Sequence, residues 1–75
     1  MNEPTSEQIQ AWAETVADFR RVMGEDYDIL RVFHFIEGLV REKGFAPNMK
    51  IVGQGVLDAV IYGEAMYIME PHKRK

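Results

Sequence analysis

Between Asp26 and Phe45 the apolar residues recur on a helical period. Ile29, Val32, Phe33, Ile36, Leu39 and Val40 share one broad face, and Arg31, His34, Glu37 and Arg41 fall on the other. A stretch patterned this way folds as an amphipathic helix and has to bury one side. Gly44 is placed for the left-handed residue of a helix end, with Phe45 able to fold back on Val40, so the spacing predicts a stop at Lys43. Leu30 and Phe35 flank the apolar face and make it wider than one partner helix covers.

Upstream, Thr5 and Gln8 have the spacing of a capping box, and Glu7 lies near the positive end of the helix dipole. Ile9, Trp12, Val16, Phe19 and Met23 then alternate steps of three and four, while Glu14, Asp18 and Arg21 lie off that seam. A helix from Ser6 to Met23 is expected, with Gly24 as its stop and Asp26 as the N-cap of the next. So short a connection predicts an antiparallel helical hairpin in which the Trp12/Phe19 seam meets the Phe33/Ile36 face.

The stretch from Pro47 to Met69 supports two readings. As a helix capped by Asn48, it sets Met49, Val52, Val56, Ala59, Gly63 and Met66 on one seam, with Lys50, Gln54 and Asp58 on another face. Gly55, Ala59 and Gly63 recur every fourth residue, which lets a second helix approach closely. Interior glycines each disfavour a helix by about 1 kcal/mol relative to alanine, and a break around Gly53, Gln54 and Gly55 would relieve two of them. Alternatively, Leu57 to Tyr62 and Ala65 to Met69 form a β-hairpin about Gly63 and Glu64, with Lys50 to Val52 as a third strand. The unbroken seam favours the helix, because a ribbon would be apolar on both sides. The expected fold class is therefore all-α, with α+β, two helices on a C-terminal β-hairpin or three-stranded meander, as the alternative.

On either reading this stretch is apolar on two sides. In the helix, Leu57, Ile61 and Ile68 fall opposite the Val52/Val56/Met66 seam, and the hairpin of the same chain covers only one side. A second subunit or a partner protein is expected to cover the other, on a surface carrying Val56, Val60, Ile61, Tyr62, Tyr67 and Ile68. Tyr62 and Tyr67 combine an apolar ring with a polar tip, and Met49, Met66 and Met69 supply adaptable contacts.

With 75 residues and no cysteine, the chain has room for a single domain, 1–75, ordered over about 5–70, and no disulfide framework or thiolate metal site. A core of this size supplies only about 3–5 kcal/mol, so association is an expected source of further stability. Nine basic against twelve acidic residues leave a net charge of −3 and no broad basic footprint for nucleic acid. The N-terminus lacks the pattern of a signal peptide, and Lys50, Gln54, Asp58 and Glu64 interrupt the apolar C-terminal run, so a cytoplasmic protein without a membrane span is expected.

Chemistry finds little purchase. His34 and Glu37 stand three apart on a polar face, but two histidines fall short of the three or four ligands of a zinc site. The Gly53–Gly55 stretch lacks the lysine and hydroxyl residue of a phosphate loop. The expectation is a non-enzymatic interaction module without cofactor, an adaptor, regulator or inhibitor that self-associates as a dimer or small oligomer. The alternative is a small-ligand or nucleotide binder with Arg20, Arg21, Arg31 or Arg41 clamping phosphate between subunits. A weaker one is a DNA-associated regulator using the basic tail at 71–75, through Lys73, Arg74 and Lys75.

Overall fold

The computed structural model describes residues 3–45 and 48–70; the tail at 71–75 and its expected contacts lie outside the described residues. Three helices make up the fold, α1 (Ser6–Met23), α2 (Ile29–Val40) and α3 (Met49–Ile68), and no strand occurs among the described residues. The chain is all-α. The segments expected to pair as a β-hairpin, 57–62 and 65–69, belong instead to α3 or its end, and α3 runs through Gly53 and Gly55 without a break.

α1 begins with the expected capping box: the Gln8 N–H donates to Thr5 Oγ1 at 3.1 Å, and the Thr5 N–H donates to the Gln8 side chain at 2.9 Å. Gly24 closes it in the left-handed region with φ 56°. The next cap is Asp28 rather than Asp26. Gly24–Asp26 wind into a 3₁₀ turn closed by the Tyr27 N–H on the Gly24 carbonyl, so the chain spends two more residues before Asp28 accepts from the Leu30 N–H at 3.0 Å. At the far end α2 stops at Val40, not Lys43, because Arg41–Phe45 open into a wide π-type turn with Gly44 at φ 90°. Phe45 is buried beside Val40 in the core cluster. Asn48 caps α3, accepting from the Ile51 N–H at 3.2 Å.

The helices assemble around α3. Pro4 lies against Gly55, Ala13 and Val16 against Gly63, and Arg21 pairs with Glu70 at 3.0 Å, so α1 and α3 run in the same direction. α2 runs opposite to both, with Val40 near Gly55 and Arg41 reaching Met49 at the start of α3. α1 and α2 form the expected helical hairpin, but their direct contact is slight and includes Phe19 edge-on to Phe35 at 5.2 Å. Trp12 and Ile36 share one core cluster with Phe19 and Phe33 packed against it, as the meeting of the Trp12/Phe19 seam with the Phe33/Ile36 face predicts, but most of the contact of α1 is with α3. Small residues decide this: a Cβ at Gly63 would stand 2.4 Å from Val16 Cβ and 2.6 Å from the Ala13 carbonyl oxygen, so the two backbones touch through the glycine.

The core follows from that closeness. Ala13, Ala17 and Ala59 are buried with Trp12 and Phe45, as are six of the seven valines. Of the nine leucines and isoleucines only Ile36 is buried.

Candidate docking face

The leucines and isoleucines left exposed are not scattered. Leu30 is 68% exposed, Ile68 61%, Ile61 56%, Ile29 47% and Leu57 45%, and these five are the only exposed leucines and isoleucines among the described residues. All five line one shallow groove of about 540 Å³ between α2 and α3. Ile29, Leu30 and Phe33 form the α2 wall. Leu57, Ile61, Ala65 and Ile68 form the α3 wall, and Val60 lies in the floor.

This clustering follows from helix geometry. Val52, Val56, Ala59 and Gly63 take the inner side of α3, so Leu57, Ile61 and Ile68 project from a second side, as their spacing requires. On α2 the inner side is taken by Val32, Ile36 and Val40, which leaves Leu30 on one flank and Phe35 on the other. Phe35 meets Phe19 of α1, whereas Leu30 meets no covering helix and stays in water.

Glu64 is the one charged residue in the groove lining, and its charge is already answered from within. One carboxylate oxygen accepts from Arg20 Nη1 and the other from the Tyr27 hydroxyl. The Arg20 guanidinium also stacks over the Tyr27 ring at 4.9 Å and the Tyr67 ring at 5.1 Å. Burial and then the contact with Glu64 push the Tyr27 phenol above its usual value, with Arg20 pulling the other way. The wall therefore offers no unsatisfied charge.

The six residues expected on a docking surface divide. Ile61 and Ile68 are in the groove, and Val60 is its floor at 4% exposure. Val56, fully buried, belongs to the core: it shares the inner side of α3 with Val52, one turn before it. Tyr62, though exposed, faces a separate hollow between α1 and α3 beside Ile9, Ala13 and Met66. Tyr67 is half-buried against Arg20. Pattern alone does not single out Ile29, Phe33 and Ala65 for this surface, because a single helix face does not reveal which neighbour leaves it open.

The four arginines of the ligand alternative each hold a carboxylate. Arg20 pairs with Glu64, Arg21 with Asp18 and Glu70, Arg31 with Asp28 at 3.9 Å, and Arg41 with Glu37 at 3.3 Å. Arg41 stands by the first turn of α3 and Arg21 beyond its last, about 30 Å apart along a helix of 20 residues. One chain does not bring all four to one anion. His34 lies on the exposed side of α2 with Nδ1 3.5 Å from Glu37, and no cluster of three metal-ligating side chains occurs among the described residues. Nor is any helix there long and apolar enough to cross a membrane.

Comparison with protein-family models, with curated proteins and with solved structures returned no match.

Proposed function

We propose that this chain is a non-enzymatic interaction module, an adaptor, regulator or inhibitor, that docks another protein chain on the α2/α3 face. The observation that carries the reading is the sorting of aliphatic residues. Six valines and three alanines, with Trp12, Ile36 and Phe45, fill the interior, while every exposed leucine and isoleucine among the described residues lies on a single groove. Monomeric proteins rarely gather exposed apolar side chains into one patch unless something binds there. The paired Glu64 supports the same reading, since a charge left unpaired in such a face would oppose its desolvation.

The test is affinity capture from a lysate of the source cells at low micromolar bait, using the wild-type chain beside Ile61→Glu. Circular dichroism checks that the variant keeps its helices. A protein retained by the wild type and released by the variant is the expected result. Equal recovery on both baits would remove the face from the function.

A further inference from the structure

We infer that the occupant of the α2/α3 face is a second copy of this chain, the two packing isologously so that α2 and α3 of each copy make a four-helix contact. This rests on the docking reading above and names its partner.

Three features of the face argue for self-association. The first is area. Five aliphatic residues, each 45–68% exposed, together with Phe33 and Ala65 on each of two copies, approach the low end of a specific interface, about 1,200 Å². A 75-residue chain without cysteine whose buried core holds a single isoleucine and no leucine gains from such burial.

The second is charge. Each chain is −3, and a charged face would set like against like across a two-fold axis. Here the sole charged group lining the groove, Glu64, is held by Arg20 and Tyr27 of its own chain. The two copies can therefore meet without opposing free carboxylates. A partner recognised by charge would find no handle in the same place.

The third is shape. The face consists of two antiparallel helices, each with its own apolar row: Ile29, Leu30 and Phe33 on α2, and Leu57, Ile61 and Ile68 on α3. A two-fold axis through such a pair sets each copy's rows against the other's, the packing of a four-helix bundle. With that axis perpendicular to the helices, α3 of one copy lies antiparallel on α3 of the other, and Ile61, in the middle of the α3 row, stands close to its own counterpart.

That last consequence gives the experiment. The chain has no cysteine, so a single introduced thiol reports one position. Sedimentation equilibrium of the wild-type chain from about 1 to 300 µM is run beside mild oxidation of Ile61→Cys and of Glu14→Cys, an exposed α1 position. The expected result is a reversible rise from 8.7 kDa to about twice that mass, a disulfide dimer of Ile61→Cys, and little of Glu14→Cys. Ile61→Glu should raise the dimer dissociation constant by roughly 100-fold or more. A dimer that does not link through Ile61→Cys, whether or not it links through Glu14→Cys, overturns the assignment of the face. A monomer at 300 µM overturns the second copy. In that case a hydrophobic dye that binds the wild type and not Ile61→Glu leaves the docking reading standing, and no dye response on either removes both.

Discussion

The two flanks of α3 obey opposite rules. Toward α1 it presents Gly55, Ala59 and Gly63, and the neighbouring backbone comes close enough that Val16 and the Ala13 carbonyl occupy the place of a side chain. Toward the open side it presents Leu57, Ile61 and Ile68, with large side chains and no neighbour to receive them. Close approach within one chain calls for small residues, because little volume is left between the axes. Large residues on the open flank gain nothing inside the monomer, and their burial requires another surface.

Gly63→Val is the most severe way to break the closed flank. The branched side chain has to displace Val16 or the α1 backbone, an overpacking loss of about 3 kcal/mol or more, comparable with the whole stability of such a core. Urea unfolding should show a chain with little remaining transition. If Gly63→Val unfolds like the wild type, the close contact of α1 with α3 does not exist.

Gly53 supplies the matched contrast within the same helix. A Cβ there meets nothing within 4 Å, so Gly53→Ala should stabilise by about 1 kcal/mol through helix propensity alone. The same measurement on Gly63→Ala should move the midpoint the other way. Two glycines ten residues apart would then respond with opposite signs.

The closed flank also depends on where α1 starts, since Thr5 caps it while Pro4 lies on Gly55. Thr5→Ala should lower stability by about 0.5–1 kcal/mol, read from the thermal midpoint at fixed concentration. An unchanged midpoint would mean that the cap does not hold this end.

Tyr27 gives the smallest and most specific effect. Its proton is held more tightly in the folded chain than in the unfolded one, where the phenol titrates near its ordinary value of 10.0. Its contribution is therefore complete below that pH and is lost as pH rises above it. Tyr27→Phe should flatten the alkaline fall in stability that begins above about pH 10 and leave the neutral-pH profile parallel to the wild type. An unaltered alkaline limb would show that the proton is not held by burial and Glu64.

Much of the local structure was legible in the residues. The capping box at Thr5, the stop at Gly24, the left-handed Gly44 and the cap at Asn48 each involve groups within a few residues, and local chemistry decides them. The spacing of Gly55, Ala59 and Gly63 also announced a close helix contact. What it could not announce was the helix on the other side. Ala13 and Ala17 carry almost no periodic hydrophobic signal, yet both are buried, and the Ala13 carbonyl stands against Gly63 of α3. The cap of α2 lies two residues beyond the expected Asp26 because Gly24–Asp26 coil into a turn first, and Asp26 and Asp28 look alike as caps.

The docking face was legible on α3 and less so on α2. Leu57, Ile61 and Ile68 share a side by spacing alone, so their common exposure was foreseeable. Val56 and Val60 are expected on the docking surface because both sides of the segment are apolar, and only the packed neighbours show which side is closed. On α2, Leu30 was visible as a flank, but its joining with Ile68 across a groove is a property of the assembled pair.

Val60 and Ile61 are neighbours in sequence and lie on opposite sides of the boundary between core and open face. Urea unfolding of Val60→Glu and Ile61→Glu, at a low micromolar concentration where association contributes little, therefore tests the account most directly. The prediction is that Val60→Glu loses the cooperative transition, because it buries a charge without a partner, while Ile61→Glu keeps the wild-type midpoint to within about 0.5 kcal/mol. Equal loss in both variants would place Ile61 inside the monomer and contradict the open face.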